Sequence, residues 1–417
     1  MAQADSRSHP VIAIPELIAM VASLMALNAL SIDIMLPALP DIGEAFELTD
    51  PNRRQLVVIV YLFGFGLAQL VYGPLADSYG RKGVLLSALG GFMAATLLCI
   101  IAPTFLTLLI ARTLQGVAAA ATRVIAMAVV RDLVHGRRMA RVISLAMTVF
   151  MAAPILAPSL GQLILFGGEW HWIFGALLAA GAGLFIWIFT RLPETLAAED
   201  RSEFRLMPIL KNYAIACSHR ITLGYMLASS LIFAALFSFI ATSEQIMAQQ
   251  YSLGAVFPLA FAGIAGGLSI SNFINARMVE QVGQRRLSHG ALILFILISG
   301  GHALLISAGI DGFWVFYPLL FAAMFLFGMI GANFSSLVME PAGKRAGVTS
   351  AAYGAATSTI SAVIGGFIGA AYAGTAFPLV FGDAILGVLA LLIIFMTERG
   401  KLFGAEEYED EEDGAAA

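Results

Sequence analysis

The sequence is poor in charge and in cysteine. Only 12% of its 417 residues are charged and 59% are hydrophobic, whereas soluble globular chains average about 25% charged and about 45 to 50% apolar residues. This composition excludes a water-soluble globular protein and predicts one that lies in a lipid bilayer. The 23 Lys and Arg against 27 Asp and Glu give a formal charge of -4, so no basic excess indicates a nucleic-acid partner. Cys99 and Cys217 indicate neither a disulfide framework nor a metal centre.

Long apolar stretches are the dominant pattern of the chain. A helix that crosses the hydrocarbon core needs roughly 20 mostly apolar residues, because lipid cannot hydrogen-bond to an open backbone. Twelve spans are predicted, at 12–36, 55–76, 83–102, 105–130, 140–166, 171–191, 220–247, 254–277, 287–308, 312–338, 345–372 and 376–397. The expected fold class is therefore an all-α membrane protein.

The Lys and Arg residues fall almost entirely in one set of alternate loops and in the tails. The opposite loops carry only Arg53 and Arg54. Because basic residues accumulate in cytoplasmic loops, this distribution predicts that both termini are cytoplasmic.

The longest polar connection divides the chain into two sets of six spans. The predicted parts are an N-terminal six-helix bundle 1–191, a linker loop 192–219, a C-terminal six-helix bundle 220–400 and an acidic tail 401–417. The segment from Gly73 to Lys82, after the second span, has a degraded echo from Asn275 to Arg286, after the eighth. Such internal duplication is typical of secondary transporters, whose substrate sites lie between the halves near the midplane.

A charged side chain within a span costs several kcal/mol, so the few that occur there usually face a cavity or pair with one another. Three ionisable side chains within the spans are therefore candidates for function. Asp33 and Arg112 are each predicted eight residues from the outer end of their span. Burial disfavours a charged carboxyl and a nearby cation favours it, so Asp33 could exchange a proton as its surroundings change. The alternative is a static ion pair that fixes helix packing. Arg123 lies about 16 Å deeper than Arg112 and is expected to snorkel or to pair in a gate rather than to contact substrate.

Four short segments share a pattern with one transport family. They are Asp33-Ile-Met-Leu-Pro37-Ala-Leu-Pro40, Gly73 to Lys82, Arg112-Thr-Leu-Gln115-Gly116, and Ala153-Pro154-Ile-Leu-Ala157-Pro158-Ser-Leu-Gly161. Together with Asn333 and the stretch 346–354, they resemble the twelve-span drug:proton antiporter branch of the major facilitator superfamily, of the bicyclomycin and chloramphenicol/florfenicol resistance type. Met35, Ser78 and Ala157 depart from that pattern, which has Tyr, Arg and Gly at these places.

The resemblance implies a fold and a function. The fold is two pseudo-symmetric six-helix bundles, with spans one and four side by side. The function is proton-coupled efflux of small, partly apolar compounds such as amphenicols, by a monomer in the bacterial inner membrane without a cofactor. Three sets of residues acquire roles by this resemblance: Asp33 and Arg112 in proton coupling; Gly73, Asp77, Gly80, Arg81 and Arg131 in a conformational latch; and Pro154, Pro158 and Gly161 in an antiporter motif with a kinked helix.

Polar and aromatic residues within the spans are candidates for substrate contact. They are Asn28, Tyr61, Phe65, Tyr225, Phe233, Phe237, Asn333 and Tyr353. Glu244 and Gln245, near the outer end of span seven, are expected to be hydrated rim residues, with attraction of cations as the alternative.

Other functions remain open from the sequence. A symporter or facilitator that imports a metabolite would share the same spans. A membrane-embedded enzyme would need clustered His, Ser or paired acids, yet His171 and His302 are isolated near span ends. A sensor without transport would leave Asp33 unexplained. A pump driven by ATP is not indicated, because no Gly-x-x-x-x-Gly-Lys-Ser/Thr loop occurs.

Overall fold

The computed structural model describes residues 12–404 and contains no β-strand in that range. Its α-helices are α1 Ile14–Asp33, α2 Leu39–Ala45, α3 Leu56–Tyr79, α4 Arg81–Ile100, α5 Phe105–Leu133, α6 Gly136–Gly167, α7 His171–Arg191, α8 Leu206–Ser218, α9 Arg220–Ser243, α10 Phe257–Val282, α11 Gln284–Ser307, α12 Phe313–Met339, α13 Ala346–Ala370 and α14 Phe377–Thr397. Twelve helical segments are long and apolar enough to cross a membrane, which confirms the predicted spans and the all-α class. The acidic run from Glu406 to Asp413 lies outside the described residues.

The first span is not one continuous helix. The sequence predicts a helix over 12–36, but α1 ends at Asp33, and a 3-10 helix Leu36–Ala38 joins it to α2. Pro37 lies in the first turn of that 3-10 helix, and proline lacks a backbone N–H and disfavours α geometry in the residue before it. The break therefore falls directly after the acidic residue.

Two other elements add detail to the sequence prediction. Helix α6 continues through Pro154 and Pro158 for 32 residues, so the kink expected there stays a prediction. The polar connection 192–219 contains helix α8, together with a short 3-10 helix Ala198–Asp200.

The duplicated loops of the two halves have the same backbone turn. Gly80 joins α3 to α4 with φ of 96°, and Gly283 joins α10 to α11 with φ of 85°. Side chains other than glycine rarely adopt this left-handed region. The echo seen in the sequence is thus a repeated structural feature. We call the end of the bundle with these two glycines the basic face, and the other end the opposite face.

The apolar core shows how the two halves meet. One cluster joins the N-terminal half to the parts of the C-terminal half near the opposite face, including Phe239, Phe257 and Phe316. A second cluster, with Phe295 and Phe334, belongs to the C-terminal half alone and lies toward the basic face. The halves are therefore joined by apolar packing at the opposite face and are more separate at the basic face.

Candidate functional site

Asp33 lies at the break in the first span. It is 4% exposed, and its Oδ1 atom accepts no hydrogen bond. No ion pair joins Asp33 to any residue between 12 and 404. A buried carboxylate without partners has lost its hydration and gained nothing in return. Within the described residues, Asp33 is therefore not a member of an ion pair in this conformation.

Arg112 of α5 is fully buried and joins four helices. Its Nε donates to the carbonyl oxygen of Val57 at 3.0 Å, and its Nη2 donates to that of Ser31 at 3.0 Å. Its Nη1 donates to Gln115 Oε1 at 2.5 Å, and the Gln115 amide donates to Thr96 Oγ1 at 2.7 Å. This network ties α1, α3 and α4 to α5.

The expected contact between Arg112 and Asp33 is absent in this structure. Arg112 instead binds the carbonyl of Ser31, two residues before Asp33. Ser31 is in the last turn of α1, where carbonyl groups lack a helical N–H donor. The guanidinium supplies that donor, so Arg112 positions the end of α1 and leaves the Asp33 carboxyl free of a cation.

Asn28 and Tyr61 complete the polar cluster. The Tyr61 hydroxyl donates to Asn28 Oδ1 at 2.8 Å, and its ring lies 4.5 Å from Arg112 Cζ. Phe65 stacks on Tyr61, with ring centroids 6.5 Å apart. These three predicted substrate-contact residues are therefore buried around Tyr61, which packs against Arg112.

Gly161 of the antiporter motif lets α6 approach the same break. A Cβ atom at position 161 would overlap the carbonyl oxygen of Ile34, the residue after Asp33. Helix α6, which carries the motif, therefore packs closely against the backbone next to Asp33.

Gly161→Ala should destabilise the protein and lower its transport rate. The added methyl group must displace the Ile34 backbone, and such overpacking typically costs about 1 to 3 kcal/mol. Gly167→Ala in the same helix is the matched control, because no atom lies within 4 Å of the added Cβ. Thermal unfolding in detergent and transport rate are the two readouts. Equal behaviour of the two variants would contradict the packing role.

Asp77 and Arg81, two of the predicted latch residues, belong to a charged cluster at the basic face. Asp77 Oδ1 accepts from Arg81 Nη1 at 2.5 Å, and Arg81 Nε lies 3.1 Å from Asp132 Oδ2. The backbone N–H of Arg81 donates to Glu194 Oε1 at 2.8 Å. In this conformation Asp77 pairs with Arg81, and Arg131, the other basic residue of the predicted latch, is exposed. Neighbouring helix residues point in different directions, and it is Asp132 that faces Arg81.

The second half contains a copy of this cluster. Arg285 Nε lies 2.9 Å from Glu398 Oε1, and Arg285 Nη2 lies 3.0 Å from Glu340 Oε2. The Tyr225 hydroxyl donates to the same Glu398 atom at 2.7 Å. Tyr225, predicted as a substrate contact, therefore stabilises the charged end of its own half.

The opposite face is closed by polar contacts between the halves. Arg54 Nη2 lies 2.9 Å from Glu244 Oε2, and the Gln55 and Gln245 side chains hydrogen-bond to each other. Asn52 Nδ2 donates to the carbonyl oxygen of Tyr372 at 2.8 Å. The expectation of a hydrated rim is wrong, because Glu244 and Gln245 are 2% and 1% exposed.

A cavity of about 580 Å³ lies between the halves toward the basic face. It is lined by α3, α5, α8, α12 and α13, and its volume is in the range of about 300 to 1,000 Å³ that is usual for small-molecule sites. Four of the predicted latch residues line it: Gly73, Asp77, Arg81 and Arg131. At this cavity, Gln69 Nε2 donates to Ser358 Oγ at 3.1 Å, and this hydrogen bond joins the halves.

The predicted substrate-contact residues do not line this cavity. In the second half, Phe233 packs edge-on against Phe327 with ring centroids 5.1 Å apart, and Asn333 Nδ2 donates to Asn275 Oδ1 at 2.6 Å. Phe237 and Tyr353 are also not among the residues that line the cavity. Their side chains pack within the protein in this conformation, and contact with substrate stays a prediction.

Two functional candidates were missed from the sequence. Asp383 lies in α14, is 1% exposed and has an Oδ1 atom without a hydrogen-bond partner. An acid inside the predicted span 376–397 was the signal for it. Arg54 is also buried, but its position in a short loop gave no sign of a partner on the seventh span.

Comparison with known proteins gives one family and several relatives. The model of the Major Facilitator Superfamily matches residues 21–369. A bicyclomycin resistance protein homolog of Haemophilus influenzae is 29% identical over 385 residues, covering 90% of this chain and 94% of that protein. The multidrug resistance protein MdtL of Escherichia coli is 28% identical over 409 residues, covering 92% of this chain and 96% of that protein.

Solved structures show the same fold. The xylose transporter XylE from E. coli, in a partially occluded inward-open conformation, matches with a TM-score of 0.70 at 12% identity, over 92% of this chain and 97% of that one. The human organic anion transporter MFSD10 matches with a TM-score of 0.67 at 18% identity, over 92% of this chain and 100% of that one.

Proposed function

The chain belongs to the Major Facilitator Superfamily, and on that premise we propose that it is a proton-coupled antiporter that exports small, partly apolar compounds. It is a multi-pass membrane transporter and not an enzyme. Relatives named for bicyclomycin and multidrug resistance support drug export, and amphenicols are the proposed example. The observation that carries the proton coupling is a buried, unpartnered Asp33 at the break of the first span.

Asp33 is proposed to carry the proton. It takes up a proton from the outside, which removes the cost of a buried charge and allows the halves to rearrange. It loses the proton on the inside, where its hydration differs. Arg112 supports the cycle through its hydrogen bonds to the carbonyl oxygens of Ser31 on α1 and Val57 on α3. A change of solvation at one carboxyl is enough to couple protonation to conformation.

The described conformation fits one stage of alternating access. The opposite face is closed by Arg54, Glu244, Gln55 and Gln245, and the cavity lies toward the basic face. By the distribution of Lys and Arg, we assign the basic face and both termini to the cytoplasm of a bacterial inner membrane. The cavity forms between the two halves of one chain, so the proposed unit is a monomer, with the proton gradient as its energy source and no cofactor.

Asp77→Asn should slow transport without changing the preference among substrates. The variant weakens the link to Arg81 but leaves Arg81 bound to Asp132 and Glu194. Because the Asp77 side chain is 50% exposed, the ion pair contributes up to about 1 kcal/mol, and a loss of about threefold to fivefold in turnover follows. Glu280→Gln, at an exposed site on α10, is the control. Unchanged turnover in Asp77→Asn would argue against a latch.

Drug susceptibility tests the proposed function. Cells that express the protein should resist a subset of an antibiotic panel that includes amphenicols, and a protonophore should remove the resistance. Resistance that survives the protonophore would exclude proton coupling. Greater sensitivity, or proton-driven uptake of the compounds, would favour a symporter or facilitator instead.

A further inference from the structure

Arg123 lies in the wall of the cavity rather than at the edge of the membrane. It belongs to α5, ten residues before the end of that helix at Leu133, which is about 15 Å along the axis. Its side chain is exposed, and it lines the cavity between the halves. A snorkelling arginine extends along the lipid toward the interface. Arg123 instead faces the cavity that both halves form.

The acids that line the cavity are already paired with other arginines. Asp77 binds Arg81 at 2.5 Å, and Glu203 binds Arg205 at 2.5 Å. Among the residues from 12 to 404, no hydrogen bond or ion pair joins Arg123 to an acid, so the gate pairing expected from the sequence is not formed. The cavity therefore has an excess of positive charge at Arg123.

The rest of the wall is mostly apolar. Met127 on α5, Met339 at the end of α12 and Val348 on α13 line the same space as Arg123. A guanidinium in a site partly shielded from water binds carboxylates, sulfonates and phosphates through charge-assisted hydrogen bonds. The wall thus offers two anion-binding groups, Arg123 and Arg131, and an apolar surface. This combination suits an amphiphilic organic anion.

We propose that Arg123 binds the acidic group of a further class of substrate, and that the protein transports organic anions with an apolar body in addition to uncharged compounds such as amphenicols. The proposal rests on the proposed function in one respect, namely that this cavity is on the substrate route. It names a further substrate class for that route and assigns Arg123 as its specificity-determining residue. A purely cationic drug would be repelled from the same site, because no unpaired acid among the described lining residues would offset Arg123.

The test uses three probes that share one apolar body. They are 1-naphthylacetate, an anion; 1-naphthylacetamide, which is neutral; and 2-(1-naphthyl)ethylammonium, a cation. Binding to the purified full-length protein in lipid nanodiscs is measured at neutral pH by equilibrium dialysis, with empty nanodiscs subtracted. The variants are Arg123→Gln, Arg123→Lys and, as the control, Arg286→Gln, which changes an exposed arginine outside the cavity lining.

The wild type should bind the anion at least about tenfold more tightly than the amide or the cation. Arg123→Gln should lose at least about tenfold for the anion and change the amide by less than about twofold, which also shows that the variant is folded. Arg123→Lys should keep part of the preference, and Arg286→Gln should keep all of it. No saturable binding of the anion, equal binding of the three probes, or an anion preference that survives in Arg123→Gln would overturn the proposal.

This outcome is separable from that of the proposed function. The dialysis needs no gradient and measures binding alone, so its result does not depend on proton-driven transport. Arg123-dependent binding without proton-driven export would leave the substrate class standing and remove the antiport. Proton-driven export of the amide or the cation with no effect of Arg123→Gln would leave the antiport standing and remove the role of Arg123 in substrate binding.

Discussion

Asp33→Asn is expected to abolish transport against a gradient while the protein remains folded in the membrane. Asparagine keeps the size of the side chain but cannot gain or lose a proton. Because the Asp33 carboxyl has no ion-pair partner in the described structure, the change removes no stabilising contact. Proton-driven uptake into inverted vesicles should fall to the level of vesicles without the protein. Downhill movement of the same compound should remain measurable, since alternating access does not itself require a titrating group.

Two further variants make this result specific. Asp33→Glu keeps a titratable carboxyl and should retain part of the uphill transport. Asp41→Asn changes an exposed acid on α2, eight residues further along the chain, and should transport as the wild type does. Full uphill transport by Asp33→Asn would show that another group carries the proton, and the buried Asp383 would then be the first to test.

Arg112→Met should cause the largest loss of stability among single substitutions in the polar cluster. The variant leaves the carbonyl oxygen of Ser31 and the Gln115 Oε1 atom without their donor, and removes a second hydrogen bond from the Val57 carbonyl, which still accepts within helix α3. Each unsatisfied buried acceptor costs about 1 to 3 kcal/mol, so a total of about 2 kcal/mol or more is expected. The thermal unfolding midpoint in detergent, followed by tryptophan fluorescence, measures the effect.

Arg112→Lys separates geometry from charge. A lysine keeps the positive charge but lacks the planar fork that reaches two carbonyls and an amide at once, so stability should fall between the wild type and Arg112→Met. Arg277→Met is the control, because Arg277 is exposed and lies over the Phe273 ring. An Arg112→Met protein as stable as this control would mean that the four-helix network does not stabilise the N-terminal half.

The spans and the duplication could be read from the sequence because they are long, one-dimensional patterns. Twenty apolar residues identify a crossing helix whatever it packs against. The repeated glycine before a basic pair is likewise a repeated structural feature, since Gly80 and Gly283 both have a positive φ. The apolar pattern did not predict the break in the first span. Pro37 ends α1 early, and the freed carbonyl of Ser31 draws Arg112 away from Asp33.

Contacts between distant parts of the chain were beyond the sequence. Arg54 and Glu244 lie on different halves, and nothing local marks them as partners. The aromatic candidates failed to line the cavity for a related reason: an apolar membrane chain uses phenylalanine throughout its packing. Arg123 shows the opposite case. Its position in the sequence indicated snorkelling or pairing, and only its place in the cavity wall, without an acid partner, indicates substrate binding.

We propose that the Asp33 carboxyl in the first span gains and loses a proton as the protein binds substrate and changes conformation. The most direct measurement is the pH change that follows addition of a transported compound to the purified protein in weakly buffered detergent solution, recorded with a pH indicator. We expect a proton release that saturates with substrate in the wild type and in Asp41→Asn, and that disappears in Asp33→Asn. The same release in Asp33→Asn as in the wild type would contradict the proposal.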